Sequence, residues 1–156
     1  MENTQTNAFQ TLRTTYDIFI NHRGIDSKET VASLVYHNLQ NKGYNAFLDK
    51  KSVQVGRRIP RSIMEVILSA AVHVAIFSNN YAESAWCLKQ LYLMFKSETA
   101  IVPVYWGVQP SELRMKDKDT AYARAFQIHK RTRKIRTQKL KKWKKALSKV
   151  SRIQAD

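Results

Sequence analysis

The residue types that could do chemistry gather in one stretch, Ser78 to Leu91, which reads SNNYAESAWCLKQL. It opens where the apolar run VHVAIFS (Val72 to Ser78) gives way to small polar residues. That run is short and β-branched, as a strand buried on both faces should be. Ser84 fits the cap of a following helix. Trp86, Leu88, Leu91 and Met94 fall at mostly helical spacing, so a helix is expected over Ala85 to Lys96. Gln90 lies one turn beyond Trp86 on the same face. Ligands of open α/β sheets bind beyond the carboxyl ends of the strands, at the starts of the helices. A catalytic pocket in this chain would therefore have Gln90 pointing at it. A glutamine amide can hydrogen-bond a hydroxyl, but it carries no charge and cannot act as a base.

Other chemistries lack their residues. A single cysteine, Cys87, leaves no intramolecular disulfide and suits a reducing compartment. It reads as a small buried apolar group. One Cys and four scattered His give no zinc spacing, so no metal is expected. No apolar run reaches the ~18 residues of a membrane-spanning helix, and the polar start MENTQTNAFQTLRTT lacks the apolar core of a signal peptide.

The elements that must position the stretch can be read in order. Residues 1–14 form a loose leader, and residues 15–156 are expected to form one domain. YDIFIN (Tyr16 to Asn21) is a short apolar strand ending at His22-Arg23-Gly24. Ser27 fits a helix cap, with an apolar stripe following at Val31, Leu34, Val35 and Leu39; Gly43 suits the helix end. NAFLD (Asn45 to Asp49) is a second strand, followed by a polar loop holding Gly56, Arg57 and Arg58. Pro60 suits a helix start. AIVPVYW (Ala100 to Trp106) is a fourth strand, which Pro103 confines to a sheet edge or a bulge. Short and long helices follow at Ala121–His129 and Lys139–Ile153, the latter with Leu140, Trp143, Leu147 and Val150 on one face. A fifth strand, if present, falls between residues 110 and 140. The alternation implies parallel strands with right-handed crossovers.

Charge is concentrated at one end. Residues 129–156 carry 12 of the 27 Lys+Arg and 1 of the 12 Asp+Glu, so +11 of the net +15 belongs to this segment. It reads as a solvated helix face, a nucleic-acid patch, or a nuclear-localisation signal over Lys139 to Lys145. Trp143 beside four lysines invites base stacking, but its place on the apolar stripe assigns it to the core.

Four ordered stretches, YDIFINHRGIDSK, GYNAFLDKK, AIFSNNYAESAWCLKQL and IVPVYWGVQPSELR, resemble a plant Toll/interleukin-1 receptor (TIR) domain from about Tyr16 to Val150. The resemblance implies an α/β, flavodoxin-like three-layer sandwich with helices on both faces of about five parallel strands in order 2-1-3-4-5. It implies a TIR-only protein, or a TIR domain excised from a disease-resistance-type protein, in cytosolic immune signalling. In that family self-association switches on cleavage of NAD to nicotinamide and ADP-ribose products. NAD+ or NADP+ is thus the implied substrate or bound ligand, no other cofactor is required, and the implied partners are other TIR domains. A nuclear location is also compatible with the basic segment, and a membrane partner is not expected.

The family keeps a carboxylate in a Trp-Cys-Leu-x-Glu-Leu pattern after the third strand. Nicotinamide departure leaves oxocarbenium-like charge on the ribose, which a carboxylate stabilises. Here the pattern reads Trp86-Cys87-Leu88-Lys89-Gln90-Leu91. By position alone Gln90 would be a surface residue; the pattern makes it a pocket residue. The family's Ser-Phe-Arg-Gly reads Asn21-His22-Arg23-Gly24, the acid after it is Ile25, its Asp-Asp reads Asp49-Lys50, and its Asp-Pro reads Gln109-Pro110. Cleavage is therefore expected to be reduced or lost. Arg23, Gly24, Ser78 and Trp86 remain candidates to hold a nucleotide, with Trp86 equally a core residue. Asp49 either steers the adjacent loop or caps it. The family's self-association pair on the first helix reads Ser33-Leu34, and its partner would be the basic helix, here Trp143 and Lys144. The leading expectation is a module that signals by protein–protein contact. The alternatives are an active NAD+ hydrolase or cyclase, with His22 as the base, and a nucleic-acid-binding module.

Overall fold

A computed structural model describes residues 15–24, 31–49 and 58–153. The leader, Ile25, Ser27, Lys50, Gly56 and Arg57 lie outside the described residues.

The described chain runs β1 (Ile18–Asn21), α1 (Val31–Asn41), β2 (Ala46–Leu48), α2 (Arg61–Ser69), β3 (Val72–Phe77), a 3-10 turn (Tyr81–Glu83) and α3 (Ala85–Lys96). It continues through β4 (Ala100–Tyr105), a second 3-10 turn (Pro110–Arg114), α4 (Ala121–Thr132) and α5 (Thr137–Val150). The strands form one sheet in the order β2-β1-β3-β4. Every pairing is parallel, with Ile18 opposite Val72 and Ala75 opposite Pro103. β4 is an edge strand of the described sheet, and Pro103 lies in it, the place in a sheet where proline is tolerated.

Alternation along the strands divides the core in two. Ile18, Ile20, Val74 and Ile76 pack against Val31 and Ala32 of α1. Phe19, Ala75 and Phe77 face the other way, into Ile67 of α2, Leu88, Leu91 and Met94 of α3, and Leu140, Trp143 and Leu147 of α5. The sheet is thus covered by helices on both faces, the three-layer α/β arrangement expected.

The expected fifth strand is not among the described residues. Residues 110–140 instead form the second 3-10 turn, α4 and the start of α5. The chemistry explains this. Lys116 to Asp119 is wholly charged and Arg131 to Arg136 mostly cationic, and neither offers an apolar β-branched run to pair beside β4. Arg133 takes a left-handed conformation at φ 54° and ends α4.

Candidate functional site

The site is built where β1 and β3 end and α3 begins. Ser84 caps α3 by accepting a hydrogen bond from the Cys87 N–H at 3.2 Å. That fixes the first turn and, one turn on, the position of Gln90. Gln90 is 2% exposed. It does not lie on the outer surface of an amphipathic helix, as position alone would have put it; it turns inward, against the last residue of β1.

Four groups interlock there. The Asn21 amide donates from Nδ2 to Gln90 Oε1 at 3.1 Å and to the Cys87 carbonyl at 3.3 Å. The Tyr81 hydroxyl donates to Asn21 Oδ1, and lies 3.2 Å from the Cys87 carbonyl. The Cys87 thiol donates to the His22 carbonyl at 3.3 Å. Asn21 and Tyr81 are fully buried, and Cys87 is as deeply placed as the apolar core around it. Burial foremost, with Cys87 and Tyr122 nearby, holds the Tyr81 phenol well above its ordinary pKa, so it remains a neutral donor. The network's hydrogen bonds contain amides, a phenol, a thiol and carbonyls, and no carboxylate. Gln90 Nε2 is buried with no hydrogen-bond partner.

Neighbouring groups complete the rim. Arg23 Nη2 pairs with Glu83 Oε2 at 3.5 Å. His22 is buried, and its Nε2–H donates to the Asp49 carbonyl at 3.3 Å, tying the end of β1 to the end of β2. Ser78 is buried at the end of β3, and its carbonyl accepts from the Tyr122 hydroxyl at 2.7 Å. His129 reaches the Ala82 carbonyl at 2.8 Å. Two side chains of α4 therefore pin the connection that carries Tyr81. Trp86 is half-buried and packs against the larger core, and Gly24 is exposed. Arg58 is exposed, remote in chain from the interlocked groups.

The structure thus brings Gln90 together with Asn21, Cys87 and the main chain of His22. Asn21 and Tyr81, the two side chains that set the amide's orientation, carry no spacing signal in the sequence. The only hint is a polar residue closing β1 and a tyrosine four residues past the end of β3. The self-association residues divide. Leu34 is 63% exposed on α1 and Ser33 is half-buried beside it. Lys144 is exposed on α5, but Trp143 is 3% exposed and belongs to the core of the monomer, where it faces no partner. Among the described residues, no group of His, Cys, Asp and Glu could hold a metal ion, and no helix is long and apolar enough to cross a membrane.

The comparisons with known proteins agree with this architecture. The TIR domain family model matches residues 15–155. A probable 2′ cyclic ADP-D-ribose synthase from Brachypodium distachyon is 43% identical over 98 residues, covering 63% of this chain and 44% of that protein. The TMV resistance protein N from Nicotiana glutinosa is 30% identical over 145 residues, covering 90% of this chain and 12% of that protein. The chain thus spans less than half the length of either relative. Among solved structures, the TIR domains of the activated Roq1 resistosome, which directly recognises the pathogen effector XopQ, superpose with a TM-score of 0.76 at 33% identity, covering 90% of this chain and 86% of that one. With a parallel sheet between helical layers and a family match over nearly its whole length, this chain is a member of the TIR domain family.

Proposed function

We propose that this TIR domain is a plant immune signalling module that works through TIR–TIR association, with NAD cleavage reduced or lost. The observation that carries the reading is the buried amide of Gln90, held through Oε1 by Asn21 at the place where the resemblance to NAD-cleaving TIR domains implies an acid. An amide cannot ionise, so it cannot balance the positive charge that develops on the ribose as nicotinamide leaves. Losing one such electrostatic contact lowers a rate by about a hundredfold or more. Glu83 does not replace it, because its carboxylate is half-exposed and paired with Arg23. NAD+ or NADP+ remains a possible bound ligand, seated near Arg23, Ser78 and Trp86, without turnover. The association reading is supported by the assembled TIR domains of the Roq1 resistosome. On this reading the domain acts in the cytoplasm, and its basic helix is compatible with a nuclear pool.

The test is nicotinamide release from NAD+ and NADP+ by the purified domain, followed by chromatography beside Gln90→Glu. The unmodified domain should show little or no turnover, and Gln90→Glu should gain activity. Brisk turnover by the unmodified domain would overturn the reading.

A second reading has one observation in its favour, the 43% identity to a probable cyclic ADP-D-ribose synthase. On that reading the domain is an active hydrolase or cyclase with His22 as base. It requires a pH–rate profile governed by one group near neutrality and abolished in His22→Ala.

A further inference from the structure

A groove of about 450 Å³ runs between α4, α5 and the loop after the second 3-10 turn. Its floor is apolar, built from Met115, Phe126 and Leu140. Its rim is lysine, with Lys118, Lys130, Lys141 and Lys144 among the residues lining it. All four lysines are exposed. The ion pairs among the described residues are Arg23 with Glu83 and Arg61 with Glu65, and neither involves the groove. A second recess adjoins it, sharing Lys130 and Thr137 and adding Arg133 and Arg136.

We propose that this groove docks an acidic amphipathic helix of a partner protein, its apolar stripe on Met115, Phe126 and Leu140 and its carboxylates on the lysine rim. Three features select that occupant. The floor between two packed helices has the shape into which a third helix lays its apolar face, an established mode of peptide recognition. The charge complementarity favours an acid: the lining carries cations and no carboxylate, with Asp117 and Asp119 beside Lys118 in the chain as the nearby acids, so an acidic partner gains steering and register, while a second copy of this basic helix is repelled. Nucleic acid fits less well. The aromatic ring of the groove, Phe126, is half-buried in its floor, and Trp143 is 3% exposed on the far side of α5, so no ring is presented for base stacking. The rim is also made of lysines, which act as point charges and lack the guanidinium fork that grips phosphate bidentately.

The inference deepens the docking half of the proposed function by giving a partner its chemistry, and it does not depend on the state of catalysis. Three labelled probes are titrated into the domain by fluorescence anisotropy. The first is a helix-favouring peptide of about 15 residues with Leu at helical spacing and Glu on the flanks. The second is a scrambled peptide of the same composition, and the third a short DNA duplex of matched charge. The patterned peptide should bind at least about tenfold more tightly than the scrambled one. The pair Lys141→Glu and Lys144→Glu should weaken it by about tenfold or more, whereas Lys42→Glu, an exposed cation beyond α1, should leave it unchanged. Equal binding of the scrambled peptide or the duplex, or equal loss in Lys42→Glu, would overturn the proposal in favour of a general polyanion surface. No binding by any probe would overturn it outright. Light scattering of the domain without peptide reads TIR–TIR association separately, so the two can fail independently.

Discussion

At the scale of single residues, the account rests on a hydrogen-bond inventory. Gln90 Oε1 is bonded by Asn21, and Gln90 Nε2 has no partner. A buried donor without a partner destabilises by about 1–3 kcal/mol. A carboxylate at the same place would keep the Asn21 bond, but its second oxygen would be as unpartnered as the amide nitrogen and would bring a buried charge. Tyr81 is the second residue on which the arrangement depends. Tyr81→Phe removes the donor to Asn21 Oδ1 while keeping the ring and its packing against Phe77, whose centroid is 4.9 Å away. The variant should lose about 1–2 kcal/mol, read as a lower urea midpoint with an unchanged slope. An unchanged midpoint would mean that the phenol contributes packing alone.

His73 is a residue-scale case with a pH signature. It is buried in β3, with Nε2 2.6 Å from the Ile67 carbonyl and Nδ1 2.6 Å from Thr99 Oγ1. Burial lowers its pKa below the ordinary 6.5, opposed in part by the Ile67 bond. The folded state therefore favours the neutral ring. Above the ordinary value both states are neutral and the stability is intact. As pH falls below it, the unfolded chain takes up the proton first, and stability is lost progressively down to the lowered folded value. Urea midpoints should thus fall as pH drops through and below the ordinary histidine value of about 6.5, and by less in His73→Gln, which carries no titrating ring. An equal fall in both proteins would assign the pH dependence to other groups.

At the scale of elements, the reading from sequence succeeded where local physics is strong. β3 is a run of β-branched and aromatic residues with no polar interruption except His73, and its bounds follow from that. α3 has a cap, a stripe and a polar end, and it spans Ala85–Lys96 as expected. α5 is amphipathic, so Trp143 falls in the core although four lysines surround it in the chain. What the sequence hides is interaction at long range. Asn21 and Gln90 are 69 positions apart, and no periodicity links them. The clamp from α4, through Tyr122 to Ser78 and His129 to Ala82, is hidden for the same reason. The expectation of a fifth strand came from resemblance and not from any apolar run, and the described residues do not bear it out. Ser84→Ala tests the cap: it should destabilise by about 1 kcal/mol, because the Cys87 N–H loses its acceptor at the helix start. A loss below a few tenths would show the cap to be redundant with the turn before it.

At the scale of the whole molecule, charge and topology separate two faces of activity. The amide network sits where the parallel strands end, the position α/β sheets reserve for ligands. The basic segment occupies α5 and the end of α4. Its influence reaches α3, where burial first and then the Lys139 charge lower the pKa of Lys89. A surface so crowded with one sign should repel its own copy. Self-association through α5 is therefore expected to strengthen as salt rises from low to physiological levels, over which the Debye length shrinks to ~8 Å. Sedimentation at a series of salt concentrations reads this directly, and association that weakens with salt would place the self-contact away from α5. The large-scale features were the most legible in the sequence: four ordered motifs set the family, and the segment charge is a matter of counting. On the proposed function, the balance between docking and chemistry turns chiefly on the side chain at position 90, which no count of residues reveals.

The most direct measurement is therefore a paired assay at position 90. Purified domain and Gln90→Glu are incubated with NAD+ under identical conditions, and free nicotinamide is quantified over time. The account predicts a rate for the unmodified domain about a hundredfold or more below that of the glutamate variant. Equal, substantial rates in both would contradict it, because they would show that splitting the nicotinamide bond in this protein needs no acid at the place of that amide.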